Sequence, residues 1–87
     1  EQNYPNPFNP STQIRYALPE ATSVTITVYD MLGRKIRTLV QDIQSAGYHT
    51  ALWNATNDRG LPVSAGMYIY TFQAGDHHHM KKMILLK

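Results

Sequence analysis

Ser23-Val24-Thr25-Ile26-Thr27-Val28-Tyr29 alternates without a break. Val24, Ile26 and Val28 fall on one face, Thr25 and Thr27 on the other. That period of two belongs to a pleated strand, whose successive side chains point to opposite sides. β-Branched residues suit such a half-buried surface because their stiff χ1 packs well on the pleat. The stretch therefore predicts a strand with its valine–isoleucine face on a core.

The same period recurs on both sides. Thr12 to Leu18 places Ile14, Tyr16 and Leu18 on one face and Gln13 and Arg15 on the other, before a turn at Pro19-Glu20-Ala21-Thr22. After a turn at Asp30 to Arg34, Lys35 to Val40 sets Ile36, Thr38 and Val40 against Arg37 and Leu39, with a charged outer face. Residues 41–47 read as a loop. Tyr48 to Trp53 aligns His49, Ala51 and Trp53, and the spacing suggests a central strand. Residues 54–66 are crowded with turn formers. Met67 to Ala74 alternates Tyr68, Tyr70 and Phe72 with Met67, Ile69 and Thr71. Gly75-Asp76 is a two-residue hairpin signal, and His77 to Leu86 closes the pattern. Turn signals at this spacing predict an all-β, immunoglobulin-like antiparallel β-sandwich of about six to seven strands.

Ahead of the first strand stands Asn3-Tyr4-Pro5-Asn6-Pro7-Phe8-Asn9-Pro10. Proline fixes φ and lacks an N–H, and it biases the preceding residue toward extended backbone. Residues 1–11 therefore read as a stiff proline-rich lead-in, and residues 12–87 as the sandwich domain. With 87 residues, 43% apolar and 16% charged, the chain suits one small globular domain. Its net charge of +2 is too small to imply a nucleic-acid partner. No apolar run approaches the ~20 residues that a spanning helix needs, so the chain is not expected to span a membrane. Cysteine is absent, which excludes a disulfide framework. The chain reads as a piece of a longer protein.

Taken in order, several short elements resemble a known family. They are the 3–12 stretch, Val28-Tyr29-Asp30 with Gly33-Arg34, Gly47-Tyr48-His49 with Trp53, Gly66-Met67-Tyr68, and the closing Lys81-Lys82-Met83-Ile84-Leu85-Leu86-Lys87. Together they resemble the type A C-terminal sorting domain of the bacterial type IX (Por) secretion system. They are also similar to the immunoglobulin-like domain of flagellar hook-capping proteins.

The resemblance implies a non-catalytic secretion and cell-surface sorting signal, fused to an N-terminal cargo domain. Such a signal is recognised by an outer-membrane translocon and cleaved by a surface peptidase. The implied location is the cell surface or medium of a Gram-negative bacterium, reached through the periplasm. The family's Gly-x-Tyr element falls on Gly66 and Tyr68, and its closing basic strand on Lys81, Lys82 and Lys87. These are the expected partner-binding residues. Members often carry Asp-Gly after the tryptophan, where this chain has Asn54-Ala55, so that loop is expected to turn differently. The triple histidine has no counterpart in the family pattern.

Other chemistries find less support. His77 and His79 share a strand face while His78 points away, so only two ligands converge locally, and a zinc site wants three or four. Asn54, Asn57, Asp58 and Asp76 lack the alternating spacing of a calcium loop and suit Asx-turns instead. No metal or other cofactor is expected. Trp53, Tyr68, Tyr70 and Phe72 read as core and not as a sugar platform. No serine sits in a nucleophile motif, the six carboxylates are scattered, and there is no phosphate-cradling glycine loop, so the chain is not expected to be an enzyme. Asn54-Ala55-Thr56 matches a glycosylation sequon by chance. Lysines on a closing edge strand discourage aggregation, yet the same edge can be captured by strand addition or pair in a weak homodimer. The alternatives are a structural immunoglobulin-like module packed on a neighbouring domain, or a carbohydrate-binding module.

Overall fold

The computed structural model describes residues 11–86. Six strands follow one another: β1 (Thr12–Leu18), β2 (Thr22–Asp30), β3 (Lys35–Gln44), β4 (Gly47–Trp53), β5 (Gly66–Ala74) and β6 (His77–Leu85). β1 pairs with β4 in a two-stranded sheet, and the other four form a sheet in the order β3-β2-β5-β6. Every pairing is antiparallel. The result is an all-β sandwich, one layer half as wide as the other.

The alternation explains why the layers meet. In β1, Thr12, Ile14, Tyr16 and Leu18 are buried and the residues between them exposed. Their partners across the ladder include Trp53 opposite Thr12 and Ala51 opposite Ile14, so the apolar faces of the two strands coincide. Facing them from the wider sheet are Val24, Ile26 and Val28 of β2, Tyr68, Tyr70 and Ala74 of β5, and Met83 and Leu85 of β6. β4 thus lies in the two-stranded sheet and is not a central strand, although Trp53 is fully buried as expected of core. Its indole N–H donates to the Thr56 carbonyl at 2.8 Å, and its ring meets Tyr68 edge-on at 5.3 Å.

β3 departs from the simple pattern. It runs to Gln44, through residues expected to be loop, because β2 offers ladder partners as far as Thr22 opposite Gln44. As the last strand on its side of the sheet, it holds that pairing with Gln41, Asp42 and Ile43 exposed. Two register shifts, between Ile26 and Thr27 and between Val28 and Tyr29, break its alternation. A bulge places an extra residue in one strand and resets which side chains face inward. Consequently Ile36, Leu39 and Val40 pack on the core, and Arg37 pairs with the inward Val28. The Arg37 guanidinium donates to Thr56 Oγ1 and does not join a charged outer face. Thr27, on the outer face, is nonetheless buried between its ladder partners Thr38 and Thr71.

The β5–β6 hairpin turns on Gly75-Asp76, with Ala74 paired to His77. Gly75 has φ 57 and Asp76 is not among the positive-φ residues, the pattern of a type II′ turn.

Candidate partner-binding surface

The expected site residues lie on two neighbouring strands. Antiparallel pairing of β5 with β6 sets Gly66 opposite Leu85, Tyr68 opposite Met83, Ile69 opposite Lys82 and Tyr70 opposite Lys81. The start of β5 and the end of β6 are thereby brought together, and Lys87 lies outside the described residues. The proline-rich lead-in, apart from Ser11, also lies outside them.

These residues differ in what they offer. Gly66 is exposed and holds φ 143, where an L side chain would be strained. Tyr68 is buried, and its hydroxyl donates to the Ser64 carbonyl at 2.6 Å. That bond back to the chain four residues upstream resembles the tyrosine corner of immunoglobulin folds and ties the loop to β5. Burial, and behind it the Asp30 carboxylate, push the Tyr68 phenol above its ordinary value. Lys81 and Lys82 are both exposed, on opposite faces of β6. Lys81 faces the interior side, beside a cleft of about 220 Å³ that also borders Ile14, Tyr16, Phe72 and His79. The exposed half of β6, His77 to Lys82, continues directly into the buried Met83 and Leu85.

The histidines do not gather. His49 stacks on Tyr16 at 5.4 Å, Tyr16 tilts against Phe72 at 5.2 Å, and Phe72 meets His79 at 6.0 Å. A row of four rings thus joins the sheets with His49 and His79 at its two ends. His49 Nε2 is 2.8 Å from the Ser45 carbonyl. Among the described residues, no three His, Cys, Asp or Glu side chains come together as metal ligands would.

The segment after Trp53 is held by a dense set of local bonds. Asn57 Oδ1 accepts from the amides of Arg59 and Leu61 at 2.9 and 3.1 Å, an Asx-turn arrangement. Asp58 Oδ1 accepts from the Thr38 amide at 3.1 Å, and Thr56 Oγ1 donates to Asn54 Oδ1 at 2.6 Å. Ala55 is buried with φ 63, the left-handed conformation that glycine takes most readily. Despite the Asn54-Ala55 pair, the chain makes its turn here with a glycine-like backbone. Beside the 62–66 end of this segment, Asp30 caps the β2–β3 turn. Its carboxylate accepts from the Leu32 and Arg34 amides at 2.9 Å and from Arg34 Nε at 2.8 Å. The Arg34 amide is the largest influence holding the Asp30 carboxyl below its usual range.

The sequence profile of the secretion system C-terminal sorting domain matches residues 2–86. No curated protein matches the chain. Among solved structures, it is similar to latent PorU of Porphyromonas gingivalis, solved as a dimer, with a TM-score of 0.77 and 21% identity. That likeness covers 97% of this chain and 9% of PorU. PorZ of the same organism, a surface component of its type-IX secretion system, gives a TM-score of 0.67 at 18% identity over 98% of this chain and 11% of PorZ. The hook-capping protein FlgD of Xanthomonas campestris gives 0.64 at 24% identity over 85% of this chain and 54% of FlgD. At these identities the likenesses show a shared fold.

Proposed function

This chain belongs to the family of secretion system C-terminal sorting domains, a non-catalytic family of secretion signals for secreted or surface-attached proteins of Gram-negative bacteria, and from there we propose how the signal is read. An outer-membrane translocon docks on the exposed half of β6 and the adjoining start of β5, after the fused N-terminal cargo has reached the periplasm. Lys81, Lys82 and Lys87 supply charge, Gly66 leaves its edge uncluttered, and Tyr68 holds the strand start in place. A surface peptidase then cuts near the lead-in of residues 1–11. The observation that carries this reading is the exposure of Lys81 and Lys82 on a strand whose next residues are core.

That continuity decides the test. Deleting β6 would take Met83 and Leu85 out of the core, and lost delivery would then report unfolding. The informative variant is Lys81→Glu with Lys82→Glu, at exposed positions. A fluorescent reporter with a Sec signal would carry residues 1–87 or this variant in a type IX-competent bacterium. Surface delivery of the first and periplasmic retention of the second, at equal thermal stability, is the expected result. Equal delivery of both would remove the lysines from recognition, and retention of both would sink the reading.

A further inference from the structure

Three features stand apart from the proposed translocon surface. A cleft of about 410 Å³ lies between the β1–β2 turn and the β5–β6 hairpin. Its rim mixes Glu20 and Asp76 with His77 and His79, which favours no single ligand charge. The row of four rings is internal packing between the sheets. The tip of the β2–β3 turn carries an inference.

Met31 and Leu32 form that tip, 51% and 79% exposed. At the opposite end of the sandwich the strands are joined by Pro19-Glu20-Ala21, Ser45-Ala46 and Gly75-Asp76, without one Leu, Ile, Met or aromatic residue. The apolar tip is also firmly held. The Asp30 amide donates to the Arg34 carbonyl and the Gly33 amide to the Asp30 carbonyl, both at 3.0 Å. The Asp30 carboxylate adds its bonds to Leu32 and Arg34. A loop fixed in this way has already lost much of the conformational freedom that binding would cost it. Its charges are met as well. Arg34 lies 2.8 Å from Asp30 and Lys35 4.0 Å from Asp58, so these four groups carry no net charge. A neutral apolar knob suits the dry centre of a protein contact, where methionine is enriched and charged side chains are scarce. It gives little hold to a polyanion or an anionic lipid headgroup.

The occupant follows from where the chain enters. Thr12, the first residue of β1, pairs with Trp53, whose ring meets Tyr68, the ladder partner of Asp30. The entry to the sandwich and the β2–β3 turn therefore lie at one end. Residues 1–10 reach at most about 35 Å when fully extended, less than the 37 Å long axis of the molecule. A domain joined through them stays beside that end, where tethering makes a contact effectively intramolecular. We propose that Met31 and Leu32 dock on an uncharged apolar surface of the domain fused ahead of this one. The contact rests on the reading that a cargo domain precedes the signal, and it leaves the exposed half of β6 open.

Methionine oxidation reads this contact. Hydrogen peroxide gives one oxygen atom to an accessible thioether sulfur and is reduced to water. Met31 reports the tip, Met80 is an exposed control on β6, and the fully buried Met83 is a protected one. The full-length protein and residues 1–87 alone are treated with peroxide, and sulfoxide is followed by peptide mass spectrometry. In the full-length protein Met31 is expected to oxidise at least about fivefold more slowly than in residues 1–87, with Met80 unchanged. Leu32→Ser restores the faster Met31 rate in the full-length protein and leaves the Tm of residues 1–87 unchanged. Equal Met31 rates in the two proteins would overturn the proposal. So would protection that survives Leu32→Ser, or a Met31 rate in residues 1–87 that falls with protein concentration, the mark of a second copy. Normal secretion with Met31 unprotected would leave the sorting reading standing alone, and failed secretion with Met31 protected would leave this contact standing alone.

Discussion

At Ala55 a single dihedral angle separates what the chain tolerates from what it does not. The left-handed conformation costs an L residue about 1–2 kcal/mol. Ala55→Gly would relieve that, but it gives up a buried methyl, worth about 0.8 kcal/mol, and it frees the unfolded chain by about 0.5–1 kcal/mol. The two sides nearly cancel, so the expected change in stability is within about 1 kcal/mol. Ala55→Val adds a branch at Cβ in a conformation that disfavours it and is expected to cost at least about 2 kcal/mol. Urea titration of both variants checks the pair, and a harmless valine would refute the backbone account. Tyr68 offers a second measurement. Tyr68→Phe keeps the ring against Trp53 and removes only the bond to Ser64. A loss of about 1 kcal/mol is expected, read as a fall in Tm of roughly 4–8 °C. If the fall is absent, the hydroxyl does not anchor the loop.

Strands differ in how openly the sequence announces them. β1, β2, β4 and β5 each bury one face, so alternation marks them and sets which side chains meet. β3 hides its geometry because a bulge adds a residue that no periodic rule anticipates, and Arg37 turns inward as a result. Its last four residues carry a single apolar side chain, Ile43, and that one is exposed, so they give no alternating signal. The partners of the 54–66 segment were equally illegible, since they depend on Thr38 and Arg37 arriving from another strand. Lys81 and Lys82 could be placed on opposite faces, and Tyr68 and Trp53 in the core, from spacing alone, whereas the edge-on contact between those two rings required the packed sheets. β6 is half surface and half core, and its two halves should respond differently. Met83→Ala is expected to cost about 2–5 kcal/mol. Ile84→Thr, one residue away on the exposed face, should cost under about 1 kcal/mol. Similar urea midpoints for the two variants would contradict the register of this strand.

For the molecule as a whole, alkali is the condition that separates folded from unfolded protonation. Burial pushes the Tyr16 phenol up despite the bond its hydroxyl donates to Gln44, and Asp42 adds to the rise. Tyr68 shifts in the same direction. A phenol with a raised folded value is protonated when folded after its unfolded counterpart has ionised, near pH 10. Its contribution to stability is complete below that pH and is lost as pH climbs through the folded value. Stability should therefore fall as pH rises above about 10, and Tyr16→Phe should blunt the fall. Parallel chemical denaturation of both proteins across that range measures it, and identical pH profiles would rule out Tyr16 as a source.

The wider sheet joins strands far apart in the chain, since β2 lies beside β5 and β6 comes last. Pairings of long sequence separation form slowly, because loop entropy is lost before the contacts reward it. The core here also waits for Met83 and Leu85, which the ribosome supplies only at the close of this segment. A nascent chain halted earlier has no means of sealing its two layers. Closure of the sandwich thus reports that the chain has been made at least as far as β6, the strand that carries Lys81 and Lys82.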